Sequence, residues 1–290
     1  MSQPIALYVH WPFCEVKCPY CDFNSHVTES IDHAAWQSSL LKELSYYAAE
    51  TAGRAVASLY FGGGTPSLMR AHTVAAIIDA AADLWGFTSN PEITLEANPS
   101  STEAGLFKDY YNAGVNRASL GIQSLKNTSL AYLGRRHNVD EAKHALNTAA
   151  TIFDRISFDM IYGLPKQSPS AWGKELEEAL EFTQDHLSVY QLTIEPGTAF
   201  FKKKTKAADE ILAADLFTLT RKLLRKAGLP AYEVSNHARI GSESRHNLSC
   251  WQGGDYIGIG PGAHGRLTRG GKFIATHQIH NPNRWLEHVA

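Results

Sequence analysis

The sequence predicts an α/β protein built on a parallel sheet. Two observations carry this. Short apolar strand-like runs alternate with longer amphipathic stretches from one end of the chain to the other, and such alternation implies parallel pairing with right-handed crossovers. The chain is also long enough, at 290 residues, for one well-developed core. Pattern alone leaves two orders open, an open doubly wound sheet and a barrel.

The elements follow in order. Residues 5–10 read as the first strand. Residues 30–50 read as a helix with Leu40, Leu41, Leu44, Tyr47 and Ala48 on one face. Residues 56–61 then read as strand and 71–85 as helix, 92–96 as strand and 102–113 as helix. Residues 117–122 form the fourth strand, followed by helical stretches at 125–133 and 139–153. The fifth pair is strand 155–161 and helix 170–184, and the sixth is strand 186–194 and helix 209–227. No domain linker or low-complexity segment interrupts the series. The run Lys202–Lys206 (KKKTK) reads as a solvated loop.

Composition excludes several classes. An apolar fraction of 44% with 19% charged residues is ordinary for a globular chain. A formal net charge of −2 gives no electrostatic reason to expect nucleic acid. The most apolar helical segment, Val74 to Phe87, is interrupted by Asp79 and Asp83, so no membrane span is expected. The first residues lack a basic region followed by an apolar run, which makes the cytoplasm the expected compartment.

Three of the four cysteines fall in one loop after the first strand, in YVHWPFCEVKCPYCDF. Cys14, Cys18 and Cys21 are spaced Cys-x3-Cys-x2-Cys. Inert buried thiols fit poorly, because Pro12, Glu15, Lys17, Pro19 and Asp22 are loop residues. A disulfide fits poorly with an odd number and a reducing compartment. Structural zinc needs a fourth ligand, which His10 or His26 could supply. An iron–sulfur cluster is the better fit, since thiolates hold such clusters, normally four of them. Three would leave one iron open to an exogenous ligand.

The later strand ends carry further polar signals, where parallel sheets place ligands. Gly62-Gly63-Gly64-Thr65-Pro66 follows the second strand, and consecutive glycines let a backbone approach a ligand and present its amides. Glu96 (LEANP) ends the third strand and could accept hydrogen bonds from a sugar hydroxyl or an ammonium group. Gln123 (LGIQS) ends the fourth, Arg135 and Arg136 (LGRRHN) follow, and Asp159 (FDMIYGLP) sits on the fifth.

The Cys-x3-Cys-x2-Cys motif with Tyr20 before its last cysteine resembles the radical S-adenosylmethionine (SAM) superfamily. That resemblance implies a partial (βα)6 TIM-like barrel, open on one side, with a 4Fe-4S cluster on Cys14, Cys18 and Cys21. It implies that SAM chelates the fourth iron through its amino and carboxylate groups. Reduction then cleaves SAM to methionine and a 5'-deoxyadenosyl radical. Taken with GGGTP, LEANP, LGIQS, LGRRHN and DMIYGLP, the motif is similar to the branch containing oxygen-independent coproporphyrinogen III oxidases and haem chaperones of the HemW type. The similarity runs from Tyr8 to at least Gly265. It implies SAM-binding roles for Tyr8, Tyr20, Gly63, Gly64, Thr65, Glu96, Gln123, Arg135 and Asp159, with Arg135 chosen over Arg136 from its spacing to Gln123.

Three features favour the chaperone side of that branch. Phe23 stands where the oxidases carry a fourth cysteine, the Tyr8 motif begins almost at once, and HNLSCW (246–251) resembles a haem-associated His-Asn-x-x-Tyr-Trp motif with Cys250 in place of Tyr. A neutral imidazole is a common haem ligand and thiolate is another. His246 and Cys250 lie four apart and would share a helix face. The resemblance therefore implies haem at His246, a haem-acceptor protein, and an electron donor such as a flavodoxin or ferredoxin. It leaves membrane contact to come only through an acceptor. The expected organisation is a radical SAM barrel over residues 1–235 and a Gly-rich, haem-associated C-terminal region over 236–290. Members of the branch continue into a helical domain beyond that point. The alternative in the same branch is oxidative decarboxylation of porphyrinogen propionates.

Overall fold

The computed structural model describes residues 3–290, without the side chains of residues 101 and 102. Six strands alternate with helices in the expected order. They are β1 (Ile5–Trp11), β2 (Val56–Gly63), β3 (Phe87–Ala97), β4 (Arg117–Gln123), β5 (Arg155–Tyr162) and β6 (His186–Gln191). Each is parallel to the next. The longer helices, α1 (His33–Glu50), α2 (Ala71–Trp85), α3 (Val139–Ile152), α4 (Pro169–Phe182) and α5 (Glu210–Lys226), supply the crossovers. Side-chain caps start four of them: Asp32, Asn138, Ser168 and Asp209 each accept a first-turn backbone N–H.

Both faces of the sheet follow from the period-2 pattern of its strands. Leu7, Val9, Leu59, Phe61, Leu95, Ala118, Leu120, Phe158, Met160, Leu187 and Val189 are buried and belong to the main apolar core. The alternate positions are polar: Tyr8, Ser58, Tyr60, Thr94, Glu96, Arg117, Ser119, Ser157, Asp159, Ser188 and Tyr190. They meet one another across the concave interior. Tyr8 stacks on Tyr60 with centroids 6.3 Å apart, Ser119 Oγ lies 3.0 Å from Ser157 Oγ, and Arg117 donates to Ser157 Oγ at 2.9 Å.

Two regions depart from the sequence expectation. The helix expected over 102–113 is broken into Ser101–Ala104 and Phe107–Asn112. In the first piece the buried Glu103 turns inward, accepting hydrogen bonds from Ser67 Oγ and from Asn98 N–H at 2.8 Å. The Gly-rich segment after 236 belongs to the same sheet. It supplies β7 (Asn236–Ala238), antiparallel to β6, and β8 (Tyr256–Ile259), parallel to β1. The hairpin β9 (His264–Arg269) and β10 (Lys272–His277) then extends the edge beyond β8. The full order is β10-β9-β8-β1-β2-β3-β4-β5-β6-β7. Gly258 makes that edge possible, because a Cβ there would lie 2.0 Å from the His264 carbonyl oxygen.

The C-terminal segment is also locked to α1. Buried Glu43 accepts from Gly260 N–H at 2.7 Å and from the Trp285 indole at 3.2 Å. Trp285, fully buried, stacks on Trp36 with centroids 5.2 Å apart. Lys202, Lys203, Lys204 and Lys206 are exposed. No helix among the described residues is long and apolar enough to cross a membrane.

Candidate functional site: a thiol-lined cavity at the sheet mouth

A cavity of about 330 Å³ opens at the carboxyl ends of the strands. Its wall includes Cys14, Cys18, Cys21, Tyr20, Gly63, Gly64, Thr65, Glu96, Gln123, Arg135 and Asp159, so most of the sequence candidates converge on one space.

The cysteine loop is pinned from several sides. Gly64 N–H donates to Trp11 O at 2.7 Å and Thr65 N–H to Phe13 O at 2.8 Å, which ties the glycine run to the loop's start. Phe200 N–H holds Pro19 O at 2.8 Å, and Tyr20 packs against the apolar cluster of Leu133, Leu164, Leu192 and Phe200. All three cysteines are free and partly buried. Thr65 Oγ1 donates to Cys14 Sγ at 3.3 Å, Arg135 Nη1 to Cys18 Sγ at 3.4 Å, and Ser25 Oγ lies 3.7 Å from Cys21 Sγ. Burial pushes the Cys14 and Cys21 thiols up, with these hydrogen bonds opposing it. A bound cation would favour the thiolate form.

The spacing of the sulfurs bears on what they hold. Three ligands of a single ion must converge. Among the described residues, the one group of three whose ligand atoms all lie within 4.8 Å of one another is a set of histidines elsewhere. The three thiols are outside that set while sharing one cavity wall. That arrangement fits a polynuclear cluster.

The glycine run earns its residues. Gly63 has φ +112°, and a Cβ on it would lie 2.6 Å from His10 Cε1 and 2.9 Å from Trp11 O. A Cβ on Gly64 would lie 2.7 Å from Phe13 O and 3.1 Å from Cys14 Sγ. Gln123 is the other strained point: its φ is +71°, at an irregularity in the β4–β5 ladder between Leu120 and Gln123. The irregularity ends regular pairing just where this side chain meets the cavity.

Arg135 and Arg136 separate cleanly. Arg135 Nη2 donates to Asn98 Oδ1 at 2.6 Å and to Gly121 O at 2.8 Å, and its Nε is buried without a partner. Arg136 lies outside the cavity in an exposed pair with Glu15 at 3.1 Å. Asn98, in the LEANP segment, was not singled out from sequence. It bridges the two sides of the site by also donating to Thr65 Oγ1 at 3.2 Å. Ser119, Tyr190, Thr193 and Glu195 join the wall as well. Asn98 and Tyr190 were findable, since both sit at or next to the carboxyl end of a parallel strand.

The two carboxylates in the cavity are electrostatically underserved. Burial raises Glu96 to about 7, reinforced by the charge of Asp159 and opposed by the hydrogen bond from Tyr60 Oη at 2.8 Å. Burial likewise raises Asp159 to about 6, opposed by a hydrogen bond from Ser188. A cationic or hydroxyl-bearing ligand would complete both.

Two sequence candidates lie away from the cavity wall. Tyr8 is inside the barrel, its hydroxyl 3.1 Å from His10 Nδ1. His246 lies on α6 (Arg245–Trp251), which closes the amino-terminal end of the barrel. Its ring is buried against Tyr60 (centroids 5.0 Å) and Tyr8 (6.0 Å), with Nδ1 3.5 Å from Ser58 Oγ. Burial lowers its pKa to about 4, so the imidazole is neutral. Cys250 on the same helix is partly buried and Trp251 is 61% exposed.

A parallel α/β barrel with three loop cysteines and a glycine cradle at its mouth defines the radical SAM class. The family model described as "Radical SAM superfamily" matches residues 8–182, and the chain belongs to that superfamily. Within it, the chain is 40% identical over 287 residues to the haem chaperone HemW of Escherichia coli, spanning 98% of this chain and 76% of that one. It is 42% identical over 297 residues to the mitochondrial radical S-adenosyl methionine domain-containing protein 1 of Bos taurus, spanning 99% and 67%. Among solved structures, the radical SAM enzyme coproporphyrinogen III oxidase (HemN) of Escherichia coli superposes with a TM-score of 0.83 at 25% identity, over 99% of this chain and 69% of that one.

Proposed function

We propose that this chain binds haem and delivers it to an acceptor protein, and that its mouth cavity holds a 4Fe-4S cluster with exchangeable SAM. The observation that carries the reading is 40% identity to a haem chaperone across nearly the whole chain, against 25% to the coproporphyrinogen oxidase of the same fold. Phe23, 59% exposed on the cavity rim where the oxidases have a fourth cysteine, supports the same side.

In this reading Cys14, Cys18 and Cys21 ligate the cluster. Bound there, cluster and SAM supply one-electron chemistry, with electrons from a small redox protein such as a flavodoxin or ferredoxin. The chain's own residues do the positioning. Gly63 and Gly64 bring backbone to the methionyl end of SAM, and Glu96, Gln123, Arg135 and Asp159 order its polar groups. Tyr20 packs beside the cysteine loop and keeps water from it, while Thr65 and Arg135 donate to sulfur and stabilise its negative charge. The compartment we infer is reducing, with the cytoplasm as the simplest choice.

Residues 236–290 form the haem-associated region of the proposal. His246 is sealed in the barrel base, so iron ligation through its imidazole requires α6 to leave its seat. Cys250 and Trp251 lie nearer the surface of the same helix. We take His246 rather than Cys250 as the principal ligand. The test is an anaerobic haem titration of cluster-reconstituted protein, followed by the Soret band, with wild type, His246→Ala and Cys250→Ser. Saturable binding weakened by the His246 change supports the reading. Binding lost in Cys250→Ser and kept in His246→Ala refutes the ligand assignment. Absence of haem binding together with SAM-dependent coproporphyrinogen decarboxylation would move the chain to the oxidase reading, which the 0.83 TM-score superposition favours.

A further inference from the structure

Three exposed histidines converge on the edge hairpin. His264 opens β9, His277 closes β10, and His280 follows three residues later. His264 and His277 are direct cross-strand partners. Their rings lie 4.4 Å apart between centroids, and His277 and His280 lie 4.6 Å apart. The interplanar angles of 47° and 54° describe tilted rings, not a flat stack. One ring nitrogen from each lies within 4.8 Å of the others.

We propose that His264, His277 and His280 form a binding site for a divalent d-block cation, with zinc as the reference ion and a fourth position open to water or another ligand. The donor chemistry selects this class. Three imidazole nitrogens with no carboxylate in the group suit zinc, copper, nickel or ferrous iron, and do not suit magnesium or calcium. Zn–N bonds of about 2.0–2.1 Å in tetrahedral geometry place the nitrogens roughly 3.3–3.4 Å apart. The exposed rings would have to rotate to close the present spacing, within 4.8 Å, to that value.

The backbone beneath the rings is already fixed, which lowers the entropic cost of assembling the site. Gln278 N–H donates to Ala263 O at 2.9 Å and Gly262 N–H to Ile279 O at 3.0 Å, so the segments bearing the three histidines are bonded to each other. Asn24 then ties this corner to the cysteine loop. Its Nδ2 donates to His280 O and to Pro261 O, both at 2.9 Å, its Oδ1 lies 2.9 Å from His26 Nε2, and its own carbonyl lies 2.9 Å from His10 Nε2. A metal bound here would therefore clamp the C-terminal hairpin against the loop that carries the three thiols. The site is distinct from those thiols, and its occupancy does not depend on haem or SAM.

The test is a zinc titration by calorimetry on tag-free, cluster-reconstituted protein under anaerobic conditions, so that the three thiols are already engaged. Wild type is expected to show one saturable site. His277→Ala and His264→Gln should each weaken it roughly 100-fold or more, since losing even an outer-shell partner costs 10–100-fold. His144→Ala, on the surface of α3, should leave it unchanged. X-ray absorption at the zinc edge should show nitrogen neighbours near 2.0–2.1 Å. All three histidines are exposed, and a thermal melt of each variant checks that it is folded. No zinc isotherm in wild type, unchanged affinity in folded His277→Ala, or sulfur in the zinc shell would each overturn the proposal.

Discussion

Glu92 and Glu96 lie four residues apart on one strand and point to the same face, yet they live in opposite conditions. Glu92, at the base, accepts from Arg155 at 2.9 Å, from Ser244 Oγ at 3.2 Å and from Arg245 N–H at 2.9 Å, and it also faces Arg117. It anchors the N-terminus of α6 and the two arginines at once. Glu96, at the mouth, accepts from Tyr60, carries Asp159 as a neighbouring like charge, and is raised to about 7. At the base, both oxygens of Glu92 are taken up in holding the plug and its arginines. The mouth keeps its carboxylates short of cationic partners, and that shortage marks where a ligand belongs.

The most severe way to break the mouth is Cys18→Ala. It should abolish cluster assembly, read as loss of the iron–sulfur absorption after reconstitution, with little change in the apo protein's melting temperature.

Breaking the base should do the reverse. Glu92→Ala leaves buried Arg117 without its carboxylate and Arg155 with Asp185 alone, and a broken buried ion pair costs about 3–5 kcal/mol. Denaturant unfolding should show that loss. A fall of less than about 1 kcal/mol would contradict the assignment of Glu92 as the base anchor.

Gly63→Ala sharpens the contrast from the mouth side. At φ +112° with His10 and Trp11 in the way, the added methyl should cost about 1–3 kcal/mol and cut SAM affinity in calorimetry. Wild-type affinity in this variant would mean that the cradle is not where SAM sits.

The pH dependence of Glu96 is smaller and has a definite sign. Its folded-state pKa lies above its ordinary value, so the folded chain holds a proton there that the unfolded chain has released. Its stabilising contribution is complete below pH 4.5 and is lost as pH rises through about 7. Glu96→Gln should therefore flatten the fall in apo-protein stability between pH 5 and 8. It should also weaken SAM binding at pH 8, where wild-type Glu96 is ionised. The smallest effect is expected from Arg136→Ala, which removes only an exposed pair and should change stability by at most about 0.5 kcal/mol.

Much of this was legible in the sequence for a physical reason. A strand such as RISFDMIY alternates polar and apolar residues, and in a barrel the polar set faces a shared interior instead of bulk water. The six strands, the cysteine loop and the glycine run could be read because each has a local signature. The seventh parallel strand could not. Tyr256–Ile259 is four residues long and contains a glycine, and it exists because β1 offers an unpaired edge. The position of His246 was equally hidden. Its spacing from Cys250 predicts a shared helix face, and only the tertiary fold turns that helix into the barrel's plug. The break in the 102–113 helix falls at residues 105 and 106, beside a Glu103 held by Ser67 and Asn98 from other parts of the chain, which no local pattern announces.

Haem delivery is best probed by transfer itself. The cluster-reconstituted chain would be loaded with haem, freed of excess, and mixed with an apo-haemoprotein whose Soret maximum differs from its own. Haem should move to the acceptor while coproporphyrinogen offered with SAM and reductant is not consumed. Haem that is never bound or never released, with coproporphyrinogen decarboxylated instead, would contradict it.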